Sequence, residues 1–487
     1  MTKEIYCLGT EKKKGIETGV SAFVVGTGFF AMFFFPGAVY MHGAGYGWAA
    51  ISIFLFSIVM WEVVSFRLMR YTAKLGNVLT LPSYFGRRFR EKRNVIRSIT
   101  AGLLFSGCIF LGAFLISTAA NAFGKVLSLD DTLATVGITL IAIGGLFFAG
   151  FHSTYRQNMV RIILIFAALV GGCLLIFGYL GTRGIFTNIM RSWSQGSVSE
   201  YINALYMGGE HLSVKQYVNL GTFGMILFGF PGFYMHFMSV RSGKIMNSAK
   251  RTATVFRMFF LFFGCVFGGL LRAFLFPERF KTLQVNYDVM LETILKRFID
   301  RGLLGTIFGI LFILAVLSVL LSFIESLLLT AASVMYEDIL INSFWSGRER
   351  GDGLLNLKLI MVLSALLEGF IAMMMQSTAY KAAAVILIVF ASSIGVPLVL
   401  SLYRKKMTGK VCLFGIISGI ILPLLYIFLP VIEQGDKTVS LYERFDVSPI
   451  LIAVVGNYIL ITFVGHFAKQ KDDQILKIHE DVKNRIV

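Results

Sequence analysis

The chain has 487 residues, of which 56% are hydrophobic and 15% charged, and its formal net charge is +18. Soluble domains rarely combine so large an apolar fraction with so few charges, so this composition excludes an ordinary soluble domain. The basic excess does not indicate nucleic-acid binding, because the basic residues gather in alternate loops between apolar segments, which is the pattern of a multi-pass membrane protein.

Apolar segments that approach the span length of about 20 residues recur along the whole chain. We place twelve of them near residues 19–41, 46–66, 98–124, 132–151, 157–181, 217–238, 252–275, 303–334, 355–376, 380–403, 409–432 and 447–467. They predict an all-α integral membrane protein with about 12 transmembrane helices.

The first and the sixth of these segments contain residues that interrupt helices. These residues are Gly26, Thr27 and Gly28 in the first segment and Gly229, Phe230, Pro231 and Gly232 in the sixth. Paired glycines weaken a helix, and a proline removes one of its hydrogen bonds. Two such breaks, in matching positions of two halves, indicate a transporter binding site whose backbone groups face a cavity. We therefore predict that solute binds at these residues and at the adjoining Phe29 and Phe30.

Aromatic residues surround both breaks, and two interpretations of them stay open. The residues are Phe29, Phe30, Phe33, Phe230, Phe233 and Tyr234. As pocket walls they favour an apolar or ring-bearing solute, or a quaternary amine held by cation–π attraction. As packing residues they belong to the 47 phenylalanines that fill lipid-facing surfaces throughout the chain. The predicted partners are thus a small organic solute and the lipid bilayer; the sequence names neither the solute nor an oligomeric state.

The basic loops indicate the orientation in the membrane. They contain Lys12, Lys13 and Lys14, then Arg87, Arg88, Arg90, Lys92 and Arg93, then Lys250 and Arg251, then Arg404, Lys405 and Lys406. The positive-inside rule places these loops, with both termini, in the cytoplasm of a cell whose plasma membrane holds the protein. Acidic residues such as Asp130, Asp131, Glu210, Asp436 and Asp446 fall mostly in the opposite loops.

Enzyme and cofactor signals are not visible in the sequence. The five cysteines are scattered singly, the six histidines are isolated, and neither set has the spacing of a metal site. We find no nucleotide-binding loop, nucleophile elbow or paired catalytic carboxylates, and we predict neither an enzyme nor a bound cofactor.

The loop after the second segment carries a family resemblance. It reads Leu79-Thr80-Leu81-Pro82-Ser83-Tyr84-Phe85-Gly86-Arg87-Arg88-Phe89. This stretch resembles the signature of the sodium/solute symporter family. Further stretches resemble the family's core helices, those of the proline carriers in particular: Ser21-Ala22, Pro36-Gly37-Ala38-Val39, His236-Phe237-Met238 with Ser242, and Glu337-Asp338. The likeness covers roughly residues 4–405.

The resemblance implies a fold and a function. The fold is an inverted five-plus-five helix repeat, here residues 19–181 and 217–403, with two additional transmembrane helices in 409–467. Residues 1–18 and 468–487 are the expected cytoplasmic tails, and the extra helix that family members carry before the first core helix is not expected here. The implied function is secondary transport of a small organic solute by alternating access.

The resemblance also implies the place of a sodium ion. The residues at the sodium-ligand positions are Val24 and Thr27, through their backbone carbonyls, and Val319, Ser322 and Phe323 of the eighth core helix. Ser322 keeps a hydroxyl, but Phe323 offers no oxygen, which a hard cation requires. An aspartate of the proline carriers is Gly26 here, and the family's Trp-Thr-Asp stretch reads Tyr155-Arg156-Gln157. We therefore predict a degenerate sodium site with lost or altered coupling. Ordinary sodium-coupled symport is the alternative, and a transporter-like membrane sensor is an alternative of another class.

Two charges appear near this place, inside predicted spans. Arg161 lies one turn after Gln157, and Glu325 lies three residues after Ser322. Charges in a membrane are expensive and usually paired, so our hypothesis is that Arg161 and Glu325 meet at or just below the old ion site. Arg161 is then a permanent cation in place of sodium, or Glu325 is a proton carrier. The alternative is that both side chains snorkel towards the cytoplasm.

A third intramembrane acid, Glu368, lies in the ninth segment. Its candidate partners are Arg257 and Arg272, and we assign it no role.

Overall fold

The structure is a computed structural model that describes residues 3–9, 14–76, 78–148, 150–277, 283–344, 352–375, 379–432, 438–468, 470 and 472–484. The predictions for Lys12, Lys13 and Asp436 fall outside these ranges.

The membrane-spanning elements agree with the sequence prediction. Among the described residues, 9 helices are long and apolar enough to cross a membrane, and counting two bent helix pairs as spans gives 11. The remaining predicted segment, 132–151, corresponds to the shorter apolar helix Asp131–Phe147, of 17 residues. The all-α class is therefore confirmed, and each of the twelve predicted segments corresponds to an apolar helix or bent helix pair among the described residues.

The first part of the chain contains the segments expected for the first repeat. Its helices are α1 (Lys3–Leu8), α2 (Gly15–Phe23), α3 (Phe35–His42), α4 (Gly47–Val59), α5 (Phe66–Lys74), α6 (Leu81–Arg88), α7 (Val95–Leu127), α8 (Asp131–Phe147) and α9 (Phe151–Ser192). π-Helical turns at Val24–Gly28 and Phe30–Phe34 join α2 to α3, and another at Met60–Ser65 joins α4 to α5. The predicted end of the fifth segment at residue 181 coincides with a break in α9, because Gly181 has the non-helical backbone angles φ 60° and ψ 171°, and a second helical stretch follows it to Ser192.

The second part contains the segments expected for the second repeat and the elements that precede them. Its elements are α10 (Val198–Ile202), β1 (Tyr206–Met207), β2 (Glu210–His211), α11 (Val214–Thr222), α12 (Pro231–Ser239), α13 (Gly243–Phe274), α14 (Leu283–Ile299), α15 (Leu303–Val334), α16 (Gly353–Met373), α17 (Ala379–Phe390) and α18 (Val396–Tyr403). The short strands β1 and β2 pair antiparallel. A 3-10 helix at Phe223–Gly229 follows α11, and π-helical turns at Met335–Phe344 and Ala391–Gly395 follow α15 and α17.

The last elements pack outside these repeats. They are α19 (Gly409–Phe428), β3 (Pro430–Ile432), β4 (Thr438–Ser440), α20 (Leu441–Phe445), α21 (Pro449–Phe467) and α22 (Asp473–Asn484). Strands β3 and β4 pair antiparallel.

Helix α15 lies at the centre of the bundle, because every residue from Val319 to Val334 is buried. A helix that is apolar all round has to be buried on every side. Helices α9, α13 and α16 instead expose large apolar side chains such as Phe166, Phe262 and Leu363. Such side chains are suited to lipid, so these helices form the outer wall.

Two stretches that carry the family resemblance contact each other at the end of α15. Asp338, which is fully buried, accepts hydrogen bonds from Thr80 Oγ1 at 2.6 Å and Ser83 Oγ at 2.7 Å. Arg97 Nε of α7 donates to the same carboxylate at 2.6 Å. Thr80 also caps α6 by accepting from the amide of Ser83. The signature loop is thus tied to the end of the eighth core helix by one buried acid.

The terminal helix α22 docks on α5 and α6 through a buried histidine. His479 is 5% exposed, and its Nδ1 lies 2.6 Å from Tyr71 Oη and 3.4 Å from Arg88 Nη2. Burial, and next the Arg88 charge, lower the pKa of His479 to about 4. Lys405 holds the pKa of the neighbouring Glu480 below its usual value, so that acid stays charged.

Docking of α22 is therefore expected to weaken as the pH falls from about 6.5, the ordinary histidine pKa, towards about 4. Between these two pH values, His479 binds a proton when α22 is undocked but not when α22 is docked. Hydrogen exchange of the α22 amides, corrected for the intrinsic pH dependence, measures the effect. His479→Gln cannot titrate, and an equal pH dependence in that variant would contradict the explanation.

Candidate functional site

The two predicted breaks are present, and both are buried. The helix pair Gly15–Gly28 and Phe30–His42 bends by 45°, and the pair Val214–Gly229 and Pro231–Ser239 bends by 55°. At the second break the chain leaves the helix, because Phe230 is extended with φ −93° and ψ 100°. The first break differs from our expectation of bare peptide groups. The chain there stays helical as π turns, with Phe29 at φ −57° and ψ −45°, a geometry often found at functional sites.

The breaks pack against each other through glycines. A Cβ at Gly26 would lie 2.2 Å from the Phe233 ring, and one at Gly232 would lie 2.2 Å from Ser326 Oγ of α15. A Cβ at Gly229 would lie 2.3 Å from the carbonyl oxygen of Leu387 in α17. Such distances exclude a side chain unless a neighbour moves. The glycines therefore let both interrupted helices approach their neighbours closely.

Phe323 of α15 joins the two breaks through aromatic contacts. Its ring centroid lies 4.7 Å from that of Phe230 and 6.0 Å from that of Phe29. Phe30 completes the cluster, 5.8 Å from Phe29 and 6.2 Å from Phe230. The residue that replaces a hydroxyl of the expected sodium site thus belongs to an aromatic cluster with three of the predicted solute-binding residues.

The side chains at the positions expected for sodium offer few oxygen atoms. Ser322 Oγ donates to Asn158 Oδ1 at 2.8 Å, and Phe323 has no oxygen to offer. Thr27 Oγ1 donates to the carbonyl of Phe23 at 3.1 Å within its own helix. Val24 and Val319 are buried apolar side chains on either side of Gly28. The side-chain oxygens at these five positions are therefore the hydroxyls of Thr27 and Ser322, each of which donates a hydrogen bond within the protein.

An asparagine organises the polar groups beside these positions. Asn158 of α9 donates through Nδ2 to Ser21 Oγ at 2.9 Å, and its Oδ1 accepts from Ser322. Ser21 Oγ lies 2.9 Å from His236 Nε2, while His236 Nδ1 lies 2.7 Å from the carbonyl of Gly232. A neutral histidine that donates from Nδ1 accepts at Nε2. Asn158 can therefore donate to Ser21, Ser21 to His236, and His236 to the carbonyl of Gly232 at the second break.

Arg161 and Glu325 meet next to this asparagine. Arg161 Nη1 donates to Glu325 Oε2 at 2.9 Å, and Nη2 donates to Oε1 at 2.7 Å. Arg161 also donates to Asn158 Oδ1 at 3.1 Å and to Gln157 Oε1 at 2.8 Å. Arg161 is 7% exposed and Glu325 is 1% exposed, so both charges are buried against each other and neither side chain snorkels. A bidentate arginine–carboxylate pair is a strong, directional contact.

The expected partners of Glu368 are wrong. Arg257 donates to Thr27, and Arg272 donates to the carbonyls of Tyr40 and Ser192. Glu368 packs against Gly112 of α7, and neither of its oxygens has a hydrogen-bond partner in the described part of the chain. The rule that buried charges pair gave the wrong partners because Arg257 and Arg272 of α13 face α2 and α3.

Sequence reasoning missed Asn158, although it selected both neighbours, Gln157 and Arg161. It used Ser21 and His236 only as marks of the resemblance. The available signal was an uncharged amide in the middle of an apolar segment, since a buried amide needs hydrogen-bond partners.

The family profile described as "Sodium:solute symporter family" matches residues 6–419. Among curated relatives, the high-affinity proline transporter PutP of Bacillus subtilis is 25% identical over 422 residues, which are 85% of this chain and 84% of the relative. The sodium/proline symporter of Haemophilus influenzae is 26% identical over 424 residues, which are 85% of this chain and 81% of the relative.

Solved structures of transporters share the fold. A Na⁺-coupled sialic acid symporter, in a substrate-bound outward-open state, matches with a TM-score of 0.73 at 16% identity and covers 96% of this chain and 93% of its own. MhsT in complex with L-phenylalanine matches with a TM-score of 0.52 at 13% identity and covers 93% of this chain and 98% of its own. The likeness confirms the inverted five-plus-five helix repeat fold; the repeat boundaries 19–181 and 217–403 stay predictions.

Proposed function

The chain belongs to the sodium:solute symporter family, and from this membership we propose that it is a secondary transporter in which an internal ion pair replaces the coupled sodium. The solute is small and organic, and it is transported by alternating access. It binds between the two breaks, at Gly26 to Phe30 and at Gly229 to Gly232. The basic loops support an orientation in the plasma membrane with both termini in the cytoplasm.

The observation that carries this proposal is the bidentate contact between Arg161 and Glu325. In the family pattern a sodium ion and an acid of the first core helix together are neutral. Here Gly26 stands in place of that acid, and the guanidinium and the carboxylate are neutral together. An arginine does not deprotonate in proteins, so the cationic part of the site is permanent and need not be bound or released in each cycle.

The surrounding contacts support the same proposal. Ser322 and Arg161 both donate to Asn158 Oδ1, so the one hydroxyl left at the site belongs to the arginine network. Phe323 places an aromatic ring where a second oxygen is expected. Both carboxylate oxygens of Glu325 accept hydrogen bonds from Arg161, so this acid is held by the guanidinium.

Sodium is therefore expected to affect neither stability nor transport. For purified protein, the melting temperature in sodium chloride should equal that in choline chloride, whereas sodium bound at 100 times its Kd would stabilise by about 2.7 kcal/mol. In proteoliposomes, uptake of at least one of radiolabelled L-proline, L-phenylalanine and sialic acid should be equal in both salts. Uptake that requires sodium would contradict the replacement, and no uptake of any of the three or of the monocarboxylate tested below would contradict the carrier.

A restored site provides the matched control. In the double variant Arg161→Gln with Phe323→Ser, Glu325 is freed from its partner and a second hydroxyl faces Ser322. A carboxylate and two hydroxyls are suitable ligands for a hard cation. This variant is expected to gain a sodium-dependent rise in melting temperature that the original protein lacks. Its failure to respond would mean that sodium binding was not lost through these two positions.

A further inference from the structure

Arg257 of α13 is a buried cation with most of its donors unused. The residue is 0% exposed, and its Nε donates to Thr27 Oγ1 in the first break at 3.0 Å. Neither Nη1 nor Nη2 has a hydrogen-bond partner within the described ranges. The guanidinium carbon lies 5.2 Å from the centroid of the Phe233 ring, at the second break. Arg257 therefore contacts both interrupted helices and keeps two N–H-bearing nitrogens unpaired beside them.

Arg161, Arg97 and Arg272 have partners for their guanidinium groups, whereas the buried Arg88 leaves only its Nη1 without one among the described residues. Arg161 and Arg97 each form an ion pair with a buried carboxylate, at 2.7 and 2.6 Å. Arg272, on the same helix as Arg257, donates to the carbonyls of Tyr40 and Ser192. An unpaired charge inside a membrane protein is costly, and it persists mainly where function requires it.

We propose that Arg257 binds the carboxylate of an anionic solute, so that the solute itself is the missing counter-ion. This inference rests on the proposed function and gives its solute a chemical class. A guanidinium presents a planar fork that matches a carboxylate with two parallel hydrogen bonds. The two free Nη groups supply that fork, while Nε remains on Thr27 and keeps the group oriented.

The residues around Arg257 limit the chemistry of the solute beyond its carboxylate. Glu325 is held by Arg161 and is not free to receive a cationic group. Beyond Arg257, the breaks present the Phe29, Phe230 and Phe323 rings. An aromatic cluster of this kind suits an apolar body. The substrate class is thus a monocarboxylate with an apolar or aromatic remainder.

Stability without solute gives the first test. Arg257→Met is expected to raise the melting temperature of the purified protein, because it removes an uncompensated buried charge and keeps the side-chain length. Arg272→Met, the control on the same helix, is expected to lower it, because two buried carbonyls lose their donors. A lower melting temperature in Arg257→Met, or failure of that variant to fold, would show that Arg257 is structural and overturn the proposal.

Binding gives the second test, with phenylacetate and its uncharged isostere phenylacetamide in a sodium- and chloride-free buffer. Phenylacetate should raise the melting temperature and phenylacetamide should not. Arg257→Met should lose the response, and Arg251→Gln, an exposed arginine on α13, should keep it. Equal shifts from acid and amide, an unchanged response in Arg257→Met, or a chloride salt giving the same shift as phenylacetate would each overturn the proposal.

Uptake separates this inference from the proposed function. If phenylacetate does not bind but proteoliposomes accumulate one of the other solutes, the anion site is wrong and the carrier stands. If phenylacetate binds through Arg257 but no tested solute, phenylacetate included, is taken up, the anion site stands and the carrier is wrong.

Discussion

Glu325→Gln is expected to destabilise the protein by about 3–5 kcal/mol, because it leaves the buried Arg161 charge without its carboxylate. Both side chains are at least nine-tenths buried, and the two hydrogen bonds between them are 2.9 and 2.7 Å long. Arg161→Met is expected to be destabilising for the reciprocal reason. Equilibrium unfolding in mixed detergent micelles measures the free energy for each variant.

The double variant Arg161→Met with Glu325→Leu should recover most of this loss. Removing both charges also removes the need to solvate either, and apolar replacements of similar size are often neutral. The interaction energy of the complete double-mutant cycle isolates the contact between the two residues. Near-additive losses would mean that the pair does not couple and would contradict the proposed ion surrogate.

A surface pair gives the reference value for this cycle. Glu62 is 56% exposed and contacts Lys250 at 2.8 Å. Exposed ion pairs contribute only about 0.2–1 kcal/mol, because water screens them. Glu62→Gln should therefore change the free energy of unfolding far less than Glu325→Gln. Similar losses in both variants would point to a general effect of charge removal.

The sequence predicted those features that depend on local chemistry. Gly229 and Pro231 disrupt a helix wherever they occur, and the second break is where they predict it. The encounter of Arg161 and Glu325 was foreseeable as well, since rare charges in apolar segments tend to pair. The same rule failed for Glu368, because it states that a partner is needed and not which helix faces are in contact.

The details of the site depend on packing that no local pattern encodes. Asn158, Ser21 and His236 come from three distant segments, and only the assembled bundle brings them together. The first break shows the same limit: paired glycines weaken a helix, but the neighbours decide the outcome. Here the Phe233 ring packs on Gly26, and the helix keeps its turns as a π-helix with a 45° bend.

Asp338→Ala is the second substitution with a large expected effect, about 3–5 kcal/mol of destabilisation, because it leaves the buried Arg97 unpaired. It also removes the acceptor of Thr80 and Ser83, which hold the signature loop. We therefore expect the loop to open locally before the bundle unfolds. Faster tryptic cleavage after the exposed Arg87 and Arg90, under native conditions, would report this opening.

The same network explains why two short stretches of the family pattern, far apart in sequence, occur together in one chain. The signature loop follows α5 and the acid follows α15, so the contact joins the segment after α5 to the segment after α15. Asp338→Asn keeps one acceptor oxygen, replaces the other by an NH2 donor and loses the charge. It should therefore fall between the original protein and Asp338→Ala in both stability and cleavage rate. If the two variants were equally impaired, the ion pair alone would hold the loop; if neither were impaired, the contact would have no part in joining the repeats.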